Sequence, residues 1–243
     1  MSFLIFSRRC AKEILRDPLN IIFGLGFPVV ILLLLSAIQA NVPVALFEIQ
    51  HLAPGITVFG LSFLTLFSAT LIAKDRESAF LQRLYTTPLR PRDYILGYML
   101  PLFPIAIGQS AVCYTVALVL GMPFSINLIT GTIIAIPISV LYIALGLLCG
   151  SVCNVKQVGG LCGALLTNLS AWLSGVWFDL ELVGGTFKKV AYLFPFVHAV
   201  ELERGAIAGN LTGMLPHFLV IVGYAALITT GAVFLFLRQM KNQ

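Results

Sequence analysis

The chain has 243 residues, of which 59% are hydrophobic and only 10% charged, and its mean hydropathy is +0.99. Soluble globular domains carry about 25% charged residues, so this composition excludes a water-soluble enzyme, and it leaves a nucleic-acid reading of the +5 net charge poorly motivated. A backbone in hydrocarbon must satisfy its own hydrogen bonds, so the long apolar runs read as helices, not as the short alternating strands of a barrel.

At the N-terminus, Phe3, Phe6, Cys10 and Ile14 fall on one side of a helical pattern and Arg8, Arg9, Lys12 and Arg16 on the other. Pro18 disfavours helix at Asp17. Residues 1–18 therefore read as an amphipathic helix along the cytoplasmic interface, with its apolar side in the acyl boundary and its cations near anionic headgroups. It is not a cleaved signal. A topology anchor and a helix that also touches a cytoplasmic partner both fit this pattern.

Residues 49–73 contain no Asp, Glu, Lys or Arg, and neither do residues 94–155. A crossing needs about 20 apolar residues, and the runs predict six spans, near 20–38, 52–73, 96–120, 127–151, 158–178 and 216–237. One membrane domain thus occupies 19–243. Gly121-Met122-Pro123 marks a tight turn between the third and fourth spans. Gly146-xxx-Gly150 and Gly159-xxx-Gly163 allow helix backbones to approach closely, either inside one subunit or between two.

Between the second and third spans lies a polar island, KDRESAFLQRLYTTPLRPRD, over 74–93. Phe80, Leu81, Leu84 and Tyr85 recur at three and four, which predicts a short helix with an apolar stripe, ended by Pro88. A loop this short has no core of its own. Its stripe needs the membrane surface or the groove of a partner protein.

With six spans both termini share a side with the island, and that side then holds 12 of the 15 basic residues. Only Lys188, Lys189 and Arg204 lie opposite, while the ten acids divide evenly. A bias of Lys and Arg without a matching bias of acids is the positive-inside pattern, which places both termini and the island in the cytoplasm.

Polar residues within the spans are few. Gln109, Tyr114, Ser139 and Asn168 are candidates to line a pathway, with ordinary interhelical hydrogen bonds as the other use for them. No ionisable residue is expected at a membrane centre, so a proton relay or ion-coupled carrier lacks its usual groups. Such a wall suits amphipathic or lipid-like cargo better than ions.

The outer segment, 179–215, contains a charge-free stretch over 190–200 that is too short to span and is interrupted by Pro195. It predicts a re-entrant or interfacial helical pair. Glu201 and Arg204 can pair at i,i+3, as part of an outer gate or as the end of a solvated loop. His51, His198 and His217 show no ligand spacing and the five cysteines no metal pattern, so no metal site and no disulfide are expected.

The run from Asp75 to Pro88 resembles the cytoplasmic motif of the type 2 ABC transporter (ABC-2) permeases, an acidic-Arg-Glu start followed by Gly-Thr, an acidic residue, leucines and Thr-Pro. It matches without a gap at Arg76, Glu77, Leu81, Arg83, Leu84, Thr87 and Pro88. It departs at Asp75 for Glu, at Ala79 and Phe80 for Gly-Thr, and at Gln82 for Glu. Pro54-Gly55, Gly97 with Pro101, and the stretch PFVHAVELERGAIAG are similar to further family features in the same order.

That resemblance implies an all-α integral membrane fold: six transmembrane helices, an N-terminal interfacial helix, a cytoplasmic coupling helix and an outer re-entrant helical pair. It implies a permease subunit of an ATP-driven exporter in the bacterial cytoplasmic (inner) membrane, paired with a second copy or a related permease. Asp75, Arg76, Glu77, Phe80 and Leu84 would couple it to a separate ABC ATP-binding subunit. The chain has no G-x-x-x-x-G-K-[ST] loop to cradle phosphates, so no cofactor is expected in it, and ATP and Mg belong to the partner. Two other classes remain open. One is a six-helix channel or membrane anchor without ATP coupling. The other is an intramembrane serine hydrolase using Ser174 and His217, since a nucleophile and its base need only spatial proximity.

Overall fold

A computed structural model describes residues 2–18, 22–42, 45–78 and 91–241, and every element among them is helical. α1 (Ser2–Arg16) is followed by a π turn (Ile22–Gly26) that leads into α2 (Phe27–Asn41), and then by α3 (Ile49–Glu77). α4 (Pro91–Met99), α5 (Leu102–Val119) and α6 (Asn127–Val152) come next. α7 (Val155–Val158) passes through a π stretch (Gly159–Leu166) into α8 (Thr167–Leu173). The chain ends with α9 (Leu180–Val183), α10 (Gly185–Leu193), α11 (Pro195–Ala208) and α12 (Leu211–Lys241).

Five helices among the described residues are long and apolar enough to cross a membrane: Ile22–Asn41, Ile49–Glu77, Asp93–Val119, Asn127–Val152 and Thr212–Phe236. They coincide with the first four expected spans and the last. The segment expected as the fifth span, 158–178, is divided between the π stretch, α8 and a run of turns from 174 to 178. Thr167 and Asn168 dilute its apolar character, and Lys156 and Gln157 immediately precede it. The Asn154 side chain and Gln157 form a reciprocal capping box that fixes where this segment begins.

Burial separates the helices into a centre and a periphery. The most apolar window of α3 is 89% buried, whereas that of the last span is 17% buried and presents Leu219, Leu227 and Phe234 outward. α3 packs along α6 at very short range, and the glycines of α6 explain how. A Cβ on Gly146 would lie 1.8 Å from Ser68 Oγ and 2.4 Å from the Thr65 carbonyl, and one on Gly150 would lie 2.6 Å from the Ala69 carbonyl. Thr65 and Ser68 use the contact to donate to the carbonyls of Tyr142 and Ile143, at 3.0 and 3.1 Å. The Gly146-xxx-Gly150 pair is thus an intrasubunit contact. Gly163 meets Leu66, and a Cβ on Gly159 would have nothing within 4 Å.

α1 is placed differently from the expectation for its apolar face. Phe6, Cys10 and Ile14 are buried against protein instead of facing acyl chains. Gly97 leaves a slot for the Phe6 ring, which meets Tyr98 edge-on at 4.9 Å and Tyr94 at 6.2 Å. At the other end of the molecule, Pro195 at the first position of α11 and Gly209 in the left-handed conformation after it set the bounds of that helix. α11 buries Phe196, Val200 and Leu202 and packs on α12, α6 and α3.

Candidate functional site

The last three residues of α3 are charged, and each holds a different part of the molecule. Asp75 is buried and accepts both Nη groups of Arg9, each at 2.6 Å, and the Tyr98 hydroxyl at 2.8 Å. Arg9 also reaches Glu13 at 2.9 Å. Arg76 Nη1 donates to the carbonyls of Gly150 at 2.8 Å and Cys153 at 3.2 Å, at the C-terminal end of α6, where helix carbonyls lack intrahelical partners. Glu77 Oε1 accepts from the Val155 N–H at 2.9 Å, one of the unpaired donors at the start of α7. This clamp joins α1, α4, α6 and α7 to the end of α3. Phe80 and Leu84, the two apolar residues expected to dock on a partner, lie outside the described residues.

The opposite end of the molecule carries a vestibule of about 500 Å³ lined by His51, Met122, Asn127, Glu201, Arg204 and His217. Arg204 Nη1 donates to Glu201 at 2.9 Å, the i,i+3 pair read from the sequence. Its other nitrogens approach the carbonyls of His51 and Gly175, both at 3.4 Å. His198 Nδ1 and His217 Nδ1 face one another at 2.8 Å, so one of the two carries a proton. His198 Nε2 donates to the Tyr192 carbonyl at 3.1 Å, so in a neutral His198 the Nδ1 accepts from His217 Nδ1–H. Sequence spacing gave no sign of this pair, because the two residues belong to different helices.

Behind the vestibule lies a group that sequence reading missed. Glu203 is 0% exposed; its Oε1 accepts the Tyr114 hydroxyl, and its Oε2 has no partner among the described residues. Burial pushes the Glu203 carboxyl up to about 8, with the Tyr114 hydrogen bond opposing it in part. At neutral pH it therefore keeps its proton. The signal was present in the spacing: Phe196, Ala199, Val200, Glu203 and Ala206 form one helical stripe, and Glu203 is its only ionisable member.

A third feature is an aromatic groove of about 600 Å³, lined by Phe23, Phe27, Phe59, Phe63, Trp172 and Trp177 together with Asn168 and Thr167. Phe23 stacks on Phe63 at 5.9 Å, and Trp177 meets Phe59 edge-on at 5.3 Å. Asn168 is thus the one candidate pathway residue that faces open space here. Gln109 donates to the Thr57 carbonyl at 3.1 Å, Tyr114 is spent on Glu203, and Ser139 donates to the Ile136 carbonyl of its own helix at 2.6 Å. Of the hydrolase pair, Ser174 donates to the Ala171 carbonyl at 2.9 Å and His217 faces His198.

A search among curated proteins finds no match to the chain. The sequence model of the ABC-2 type transporter family, in contrast, matches residues 1–208, which takes in the clamp, the aromatic groove and the Glu203 helix. The chain is a multi-pass membrane protein and belongs to the ABC-2 type transporter family, as a permease component.

Proposed function

We propose that the chain is the permease subunit of an ATP-driven exporter, forming a translocation pathway with a second copy or a related permease. Separate ATP-binding subunits supply the energy. The clamp at Asp75, Arg76 and Glu77 is the observation that carries this reading. It sits where α3 leads into the polar island, and it fastens four other helices to that point. A displacement imposed on the island by nucleotide-driven closure of the partners would pass into α1, α4, α6 and α7 together. On this reading Phe80 and Leu84 fill the partner's groove, and Asp75, Arg76 and Glu77 transmit the movement.

The distribution of basic residues supports cytoplasmic termini and a cytoplasmic island in a bacterial inner membrane. A sixth span is supported by length, since the helical run 155–173 extends about 28 Å at 1.5 Å per residue, close to a hydrocarbon core of about 30 Å. The outer pair α10 and α11 would cap the pathway, with Glu201 and Arg204 at its exit. The aromatic groove, with one amide and one hydroxyl among seven aromatic side chains and no charge, supports an amphipathic cargo: a small molecule, a peptide or a lipid-linked compound. A channel or anchor has no need of a clamp joining five helices beside a docking loop.

The test is co-purification of the tagged chain with the ATPase encoded beside it, for the native sequence and for the Phe80→Asp, Leu84→Asp double variant. The native chain should retain the ATPase, and the double variant should insert normally but lose it. ATPase retention and transport at the native level in the double variant would show that this loop is not the coupling element.

A further inference from the structure

The outer face of α1 borders two cavities of opposite chemistry. One, of about 860 Å³, is lined by Arg8, Arg9, Lys12, Arg16 and Lys74 against only Glu13 and Asp17. Arg9 is committed to Asp75 and Glu13, and Lys74 lies 3.6 Å from Asp17. Arg8, Lys12 and Arg16 are exposed and form no ion pair among the described residues. The other cavity, of about 360 Å³, is walled by Ala11, Leu15, Leu25, Pro101, Pro104 and Ile105 and has almost no polar surface. Arg8, Ala11, Lys12 and Leu15 are spaced i, i+3, i+4 and i+7, so they form one strip of α1 on which the cations border the apolar wall.

We propose that these two cavities together bind one anionic phospholipid, its phosphate held by Arg8, Lys12 and Arg16 and one acyl chain lying in the groove between α1 and α5. A soluble anion would use only the basic half, and a zwitterionic lipid would gain little from three uncompensated cations. A lipid with a net negative headgroup uses both. Basic clusters on an amphipathic helix at the cytoplasmic surface attract anionic lipids in general; the apolar cavity beside this one makes it a site with a chain slot as well as a charged surface. The assignment takes from the proposed function only that α1 lies at the cytoplasmic leaflet, and it requires neither cargo nor an ATPase.

The experiment is native mass spectrometry of the full chain in a neutral detergent, titrated with phosphatidylglycerol, with phosphatidylcholine of the same chains, and with free glycerol phosphate. Phosphatidylglycerol should remain bound at one per chain, and the Arg8→Gln, Lys12→Gln, Arg16→Gln variant should weaken it on the order of a hundredfold. Gly108→Leu supplies an independent variant, because Gly108 lines the apolar cavity and a Cβ there meets nothing within 4 Å. It should weaken the lipid while leaving the melting temperature in neutral detergent unchanged. Equal binding of phosphatidylcholine, or undiminished binding by the triple variant, would overturn the proposal. Displacement by glycerol phosphate at the same concentration as the lipid would overturn it in favour of a soluble phosphate. If the triple variant kept the lipid but lost the co-purifying ATPase, the face would belong to a protein partner instead.

Discussion

Arg8 and Arg9 are adjacent in sequence and opposite in environment. Arg8 is exposed, while Arg9 places both Nη groups on a carboxylate that is 1% exposed. Removing Arg9 leaves the buried Asp75 carboxylate uncompensated, so Arg9→Gln should cost about 3 kcal/mol of stability, against less than about 0.5 kcal/mol for Arg8→Gln. Thermal unfolding of the two variants in neutral detergent measures the contrast. Glu203 gives a prediction in pH. Its folded pKa is raised to about 8 from an unfolded value near 4.3, so the folded state binds the extra proton. Stability should be greatest below about pH 4.3 and should decline as the pH rises toward 8, with little further loss from this group above it. Glu203→Gln should flatten that decline, so that the variant gains on the native chain between pH 5.5 and 8.5 in the same thermal assay. A native chain with no fall over that range would mean that Glu203 is solvated in the folded protein. Neither contact was legible beforehand, for the same reason. Asp75 looks like the polar end of a helix and Glu203 stands out on an apolar stripe, but the partners that meet them lie 66 and 89 positions away, beyond the reach of local spacing.

Among the elements, charge-free runs located four spans and the last one well, because desolvation leaves a lipid-crossing helix little latitude in composition. The expected fifth span was less legible, since three glycines, a threonine and an asparagine give a π stretch and a short helix of lower hydropathy than the other spans. Gly146 and Gly150 were read as a close-contact motif, but which surface they met required the fold. That surface is Thr65, Ser68 and Ala69 of α3. Gly146→Val should therefore push α3 and α6 apart and cost about 1–3 kcal/mol, with loss of folded yield in detergent. Gly159→Ala, with open space at its Cβ, should have no comparable effect. The apolar face of α1 was read correctly as a stripe and assigned to the wrong surroundings, because a helical pattern specifies which residues are covered and not whether lipid or a tyrosine pair covers them.

At the scale of the whole molecule, the described helices form a bundle with α3 at its centre, a charged clamp at one end and a vestibule at the other. The proposed coupling explains why the end of α3 is tied to so many neighbours, whereas a passive channel would leave those ties without a use. The central claim is that energy enters at the cytoplasmic clamp and is spent on moving an amphipathic cargo. The measurement that tests it most directly is ATP hydrolysis by the complex of this chain with its co-purified ATPase in lipid nanodiscs, across a panel of amphiphiles and strongly hydrophilic solutes. The account predicts stimulation by at least one amphiphile, abolished when Phe80 and Leu84 are both replaced by Asp. Solute flux through the chain in vesicles without any ATPase or nucleotide would contradict it.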